Sequence, residues 1–168
     1  MHLAVSTIDG HGAPELPLSS RPATQADQGT IRRLIKEARI NRMSLNWPNF
    51  VVAEDGGAIV GIGQVKTPGD GSRELASIAV IPARQSQGIG GAIITTLLAR
   101  ERGVVHLTCR SQLQGYYERF GFRRLDSAEF PLYFRRLLPI INVVVRLFGT
   151  QILVMRREAS PSRVPAAD

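Results

Sequence analysis

Apolar positions along this chain follow two rhythms, and the switches between them mark its elements. From Thr24 the run Ile31, Leu34, Ile35 and Ala38 keeps the 3.6-residue period of an amphipathic helix, ending near Ile40 to Met43. A short strand at Ser20 to Ala23 leads into it. Thr24-Gln25-Ala26-Asp27 stands at the junction as a capping box, hydroxyl and carboxylate serving the first free amides of the helix. After a break at Trp47-Pro48-Asn49, Phe50 to Glu54 and Ala58 to Lys66 flank Asp55-Gly56-Gly57, a strong hairpin signal. Gly61 and Gly63 alternate in the second strand, which predicts a bulge or a close backbone approach on one face. Pro68 to Ser72 forms the next turn.

A strand from Leu75 to Ile81 then stops at Pro82. A polar, glycine-bearing turn follows, and after it a helix with Ile89, Ile93 and Leu97 on one side, closed by Gly103. Val104 to Cys109 reads as strand. Ser111-Gln112-Leu113-Gln114 reads as a second capping box, opening a short helix with Leu113, Tyr116, Tyr117 and Phe120 that Gly121 stops. Phe122 to Leu125 resumes as strand, and Thr150 to Arg156 is the last one. Between them, residues 130–148 form an apolar helical insertion interrupted by Arg135, Arg136, Pro139 and Arg146. The order βαβββαβαβαβ describes one α/β domain over residues 20–157, with a flexible arm at 1–19 and a disordered tail at 158–168.

Composition narrows the chemistry. With 168 residues, 43% hydrophobic and 21% charged, the chain has the makeup of a globular domain able to bury a core. Its one cysteine, Cys109, excludes an internal disulfide framework, and no Cys/His cluster has metal-ligand spacing, so no metal is expected. A lone thiol and an N-terminus without a cationic segment and apolar run fit a cytoplasmic protein. Of the 21 basic residues only Lys36 and Lys66 are lysine, and the net charge is +7. Arginine suits bidentate contact with phosphate and carboxylate, so an anionic cofactor or substrate fits; a compositional habit of the source fits equally well. The arginines are scattered rather than interleaved with aromatics, so no nucleic-acid partner is expected. Residues 130–148 are too short and too often interrupted for the ~20 apolar residues of a membrane span.

The turn Arg84-Gln85-Ser86-Gln87-Gly88-Ile89-Gly90-Gly91 is the candidate site. It leads from a strand into a helix, so unpaired amides and the positive end of the helix dipole face whatever sits there, a setting suited to phosphate. A nucleotide P-loop would need a Lys that is absent, and a dinucleotide fingerprint would need a small residue where Ile93 stands. The remaining pattern is Gln85-x-x-Gly88-x-Gly90 behind Arg84. Gly88, Gly90 and Gly91 also read as glycines that let a helix pack closely on a sheet.

This pattern resembles the Q/R-x-x-G-x-G/A signature of the GNAT superfamily of acyl-CoA-dependent N-acyltransferases. Arg21-Pro-Ala-Thr-x-x-Asp27 is similar to that family's first strand and helix start, and Tyr116-Tyr117-Glu118-Arg119-Phe120-Gly121-Phe122 to its F-Y-x-x-x-G-F segment. The likeness covers residues 20–126. It implies a mixed, mostly antiparallel sheet of six to seven strands flanked by helices, splayed between its central strands for CoA. It implies further that the amides of Gln85, Ser86, Gln87, Gly88, Ile89, Gly90 and Gly91 hold the pyrophosphate of acetyl-CoA, with Arg84 adding a charged contact. The backbone of Ile78, Ala79 and Val80 would pair with the pantetheine arm. Tyr117 matches the family's general acid to the departing sulfur, with Tyr116 in reserve about 100° around the helix. Glu74 matches a position where many members carry a carboxylate, acting as base directly or through water, unless it is simply a solvated Glu beside Arg73. Arg110 stands where the family often has asparagine.

The activity so implied is transfer of an acetyl group from acetyl-CoA to a primary amine by direct attack in a ternary complex, on a small-molecule or peptide acceptor. The alternative is a non-catalytic acyl-CoA-binding regulatory module. His106 reads as a packed or surface strand residue, and Cys109 as a small buried apolar one. The helix at 130–148 either caps the amine site or makes a homodimer.

Overall fold

A computed structural model describes residues 19–40, 44–146 and 151–158. The expected arm and tail fall almost wholly outside these residues, as does Met43, but the first helix ends at Glu37, short of the expected Ile40 to Met43. Seven strands form: β1 (Ser19–Pro22), β2 (Phe50–Asp55), β3 (Ala58–Lys66), β4 (Glu74–Val80), β5 (Val105–Arg110), β6 (Arg123–Arg124) and β7 (Ile152–Arg157). Four α-helices lie between them: α1 (Gln28–Glu37), α2 (Ile89–Ala99), α3 (Gln114–Glu118) and α4 (Leu132–Arg146). The order along the chain is the one the pattern predicts. The strands make one sheet in the order β1-β2-β3-β4-β5-β7-β6, antiparallel throughout except where β4 meets β5.

Alternation along each strand divides the core between the two faces. Val51, Ala53, Val65, Leu75, Val105, Leu107, Cys109 and Met155 pack with Ile89, Ile93 and Leu97 of α2. Phe50, Val52 and Ile62 turn the other way, onto Ile31, Leu34 and Ile35 of α1. Beside α1 on that second face, Phe134 and Leu138 of α4 pack with Leu125, Ile152 and Val154. α2 can lie close to the sheet because β3 is bare where they cross. A Cβ on Gly63 would stand 2.6 Å from both Ile78 Cδ1 and Ile93 Cγ2, nearer than real contacts allow. The paired glycines thus serve close approach, and the bulge they signalled is present too, between Ile62 and Gln64 against β4.

The entry to α1 forms as its capping box predicts. Asp27 Oδ2 accepts from the Thr24 amide at 2.7 Å and from the Thr24 hydroxyl at 2.9 Å. The same carboxylate takes both Arg21 nitrogens, at 2.7 and 3.1 Å, and Arg21 continues to Glu54 at 2.5 Å. One half-buried cluster therefore ties β1, the start of α1 and β2.

Three further boundaries differ from expectation. α2 ends at Ala99 rather than at Gly103, because the Arg100 and Glu101 amides fold back onto Leu97 and Leu98 in a tighter last turn. The second capping box does not form: β5 runs on through Arg110, which pairs with Ile152, and the Ser111 amide donates to Gln151 O at 2.9 Å. Ser111 then opens a single 3-10 turn, and α3 starts only at Gln114. β6 is shortened to two residues, since the Phe122 amide still closes α3 on Tyr117 O.

Candidate active site

The site is built where the sheet fails to close. β4 and β5 share one registered pair among the described residues, Glu74 opposite His106, held by the His106 amide on Arg73 O at 2.8 Å. Beyond that pair the strands diverge toward their C-terminal ends, leaving an open wedge. On its other side β4 bulges: Ser77 and Ile78 together face Gly63, and Ser77 adopts a left-handed φ of 58°. Gln64, fully buried, steadies this kink by donating from Nε2 to Ser77 Oγ at 2.9 Å.

The glycine-bearing loop lies at the wide end of the wedge. Pro82–Arg84 makes one 3-10 turn; Ser86 and Gly88 then take left-handed φ values of 61° and 77° before α2 begins at Ile89. The Ala92 amide is the first in α2 with a helical partner, Gly88 O at 3.0 Å. The amides of Ser86 to Gly91 have no backbone acceptor among the described residues, as expected of a helix start left open. Ser86 and Gly88 are exposed. Gln85 and Arg84 are committed to the scaffold: Gln85 Nε2 donates to Val80 O at 3.0 Å, and the Arg84 guanidinium pairs with Asp55 at the end of β2. Of the three β4 residues expected to pair with an extended arm, Ala79 is buried, Ile78 and Val80 are half-buried, and Val80 already has its carbonyl engaged.

α3 follows β5 and turns Tyr117 inward. Its ring meets Tyr116 and Phe122 edge-on, with centroids 5.3 and 6.2 Å apart. Burial, with Cys109 and Tyr116 nearby, holds its phenol well above the usual tyrosine range, so it keeps its proton at neutral pH and can donate it. Tyr116 is pushed up to about 12, first by burial, against the opposing charge of Arg119 over its ring. Its buried hydroxyl has no partner among the described residues and lies near Gly91 of α2. Cys109 is buried, and burial raises its thiol to about 12, as suits a packed residue rather than a nucleophile.

Glu74 stands at the narrow end of the wedge. It is 5% exposed, so it is not a solvated turn residue, and Arg73 pairs with Glu101 instead, at 2.6 Å. Lys66 Nζ is ion-paired with Glu74 Oε2 at 3.1 Å. Burial raises the Glu74 carboxyl above its ordinary value, and Lys66 offsets part of that. The first turn of α4 closes over this corner. The Tyr133 amide donates to Asp70 Oδ2 at 2.8 Å, Tyr133 lies by Lys66, and Phe134 packs against the His106 ring at 5.7 Å between centroids.

The sequence reading named the loop, Tyr117 and Glu74: the loop stands at the mouth of the wedge and Glu74 at its apex, while Tyr117 packs in the α2-side core against Phe122, with Cys109 nearby. It did not name Gln64, Ser77, Lys66 or Asp70, and it set His106 aside. One signal was available: Gln64, Lys66, Glu74 and His106 are polar residues inside otherwise apolar strands.

Residues 46–124 match the family model of the acetyltransferase (GNAT) domain. No curated protein sequence matches the chain. Among solved structures it is similar to N-acetylglutamate synthase from Neisseria gonorrhoeae complexed with coenzyme A and N-acetyl-glutamate, at 21% identity and a TM-score of 0.68. That match takes in 89% of this chain but spans only 37% of the synthase. Rv2747 from Mycobacterium tuberculosis, in complex with CoA, is similar over 84% of this chain and 99% of its own, at 20% identity and a TM-score of 0.62. The ribosomal-protein-S18-alanine N-acetyltransferase from Escherichia coli is similar over 90% and 99%, at 15% identity and a TM-score of 0.59.

Proposed function

This chain belongs to the GNAT acetyltransferases, and on that premise we propose that it moves the acetyl group of acetyl-CoA to a primary amine by direct attack in a ternary complex. One observation carries the reading: a helix start with open amides stands at the mouth of a wedge between two parallel strands. The first suits a pyrophosphate and the second an extended thioester arm. The pyrophosphate lies on the amides from Ser86 to Gly91. Arg84 and Gln85 shape that loop from behind, through Asp55 and Val80. The arm runs along β4 beside Ile78, Ala79 and Val80, with its thioester toward the apex.

An alkyl ammonium must lose a proton before it can attack. Glu74 takes that proton, and its raised proton affinity brings it nearer to the working pH. The amine nitrogen then bonds to the thioester carbon, the C–S bond breaks, Tyr117 donates to the leaving sulfur, and the second nitrogen proton restores the phenol. The acceptor, a small molecule or a peptide amine, enters beneath the first turn of α4. The contacts of Tyr133 and Phe134 with Lys66 and His106 favour a capping role for that helix over a purely dimeric one.

Two measurements test this reading. Free CoA is expected to raise the melting temperature; an unchanged melting curve over millimolar CoA would remove the donor assignment. Tyr117→Phe is expected to lower kcat about 100-fold or more with CoA affinity kept. Equal turnover across pH would sink its acid role.

A further inference from the structure

The corner where β4 and β5 touch holds more than one group able to take a proton. Register alone sets five side chains in a row across one face of the sheet. Lys66 pairs with Glu74, Glu74 with His106, His106 with Arg156, and Arg156 with Arg123. Neighbouring strands stand about 4.8 Å apart, so Glu74 and His106 are as close as cross-strand neighbours come. Both are buried, at 5% and 7% exposure; Glu74 Oε2 has Lys66 Nζ at 3.1 Å, while His106 Nδ1 has no hydrogen bond among the described residues. Buried polar atoms are nearly always satisfied, so an orphaned His106 Nδ1 beside an ion-paired carboxylate needs an explanation. A donor rich in N–H groups supplies one.

We infer that His106 acts with Glu74 as a paired proton acceptor, so that the ammonium of the incoming amine gives its proton to the pair rather than to Glu74 alone. This rests on the acetyl-transfer reading above. The proton leaves the ammonium for the pair and passes from there to solvent. The freed lone pair forms the N–C bond, the C–S bond breaks, and the second nitrogen proton balances the thiol formed at sulfur. No other reactant is needed.

The surroundings bring the two proton affinities together. Burial raises Glu74, opposed by Lys66 and assisted by Asp70 from the β3–β4 turn. Burial and then Arg156 lower His106, opposed by the Arg73 backbone beside the imidazole and by Asp70 and Glu158. Arg123 on β6 lies next to Arg156, and α4 adds Tyr133 over Lys66 and the apolar Phe134 ring on the imidazole. A carboxyl moved up and an imidazole moved down can share one proton, and such groups titrate as a unit.

The first test needs no acceptor. Proton NMR follows the imidazole of His106 from pH 4 to 9 in the CoA-bound protein, its signal assigned by its loss in His106→Gln. Glu74→Gln is expected to move the His106 midpoint to lower pH by about one unit; an unmoved midpoint would overturn the pairing. The second test measures thiol release from acetyl-CoA with glycinamide as the probe amine, for Glu74→Gln, His106→Gln and the double variant. Paired action predicts that His106→Gln lowers kcat at least tenfold with KM for acetyl-CoA unchanged, and that the double variant is no slower than the slower single one. Losses that multiply, or full turnover in His106→Gln, would overturn it. Should His106→Gln fail to fold, the Glu74→Gln titration still decides. Loss of the CoA-induced melting shift in the unaltered protein would instead strike the donor reading on which this inference stands.

Discussion

The two ends of the wedge between β4 and β5 are built from different materials. At the mouth, the loop from Arg84 to Gly91 offers main chain: open amides, two left-handed residues and a helix start, with its long side chains tied back into the scaffold. At the apex, Lys66, Asp70 and Glu74 come from the β3–β4 hairpin and His106 from β5, and everything depends on side chains brought together by register. A site made of backbone can be written as a short local motif, and it tolerates many sequences around it. A site made of side chains on neighbouring strands has no local signature, and each change in it alters which molecule fits. One end is suited to a shared donor, the other to a particular acceptor.

Three substitutions separate these ends. Asp27→Asn acts on the scaffold beneath the acceptor face and should have the largest effect, costing about 1.5–3 kcal/mol of stability for its charge-assisted bonds, measured by urea unfolding. The Arg21 guanidinium holds this carboxyl well below the usual carboxylate range, with the Thr24 bonds assisting against burial. Its stabilisation is therefore complete above the unfolded carboxylate value of about 3.9 and disappears as pH falls through the lower native one. The Asn variant should lose less stability than the unaltered protein between about pH 5 and 2. A parallel decline in both would show that Asp27 is not the group responsible.

Gly88→Val acts on the mouth alone. A left-handed residue with a side chain costs about 1–2 kcal/mol, and the valine also crowds the exposed amides. CoA affinity by calorimetry should fall about tenfold or more, with the apex and its His106 titration untouched. Asp70→Ala acts on the apex alone and should be the mildest. It removes the acceptor of the Tyr133 amide at the start of α4, worth about 0.5–1 kcal/mol for a helix-capping contact. CoA affinity should stay constant while KM for the probe amine rises a few-fold. If Asp70→Ala weakened CoA and Gly88→Val spared it, the division of labour drawn here would be wrong.

How far the sequence spoke follows the same division. The order of elements was legible because hydrophobic period changes at each boundary, and the hairpin at Asp55-Gly56-Gly57 and the box at Thr24 are local chemistry. The loop was legible because its glycines and polar residues are contiguous. Ser111 misled, since its apparent capping pattern was overruled by β7, which pairs β5 up to Arg110, and by Gln151 just before it, whose carbonyl takes the Ser111 amide. Tertiary pairing beat a local signal. The row from Lys66 to Arg123 could be read only as isolated polar residues in apolar strands, because as a row it exists only once the register of five strands is set. Nor does any residue type announce the left-handed Ser77; serine is chosen there for the bond that Gln64 gives it.

The lone rung between Glu74 and His106 has a mechanical side as well. Four strands lie to one side of it and three to the other, so the sheet is two panels hung on a narrow hinge. An extended arm lying in the gap would add stitches along a seam that the polypeptide leaves open. The stiffness of the whole molecule then becomes a gauge of how well its donor is supplied.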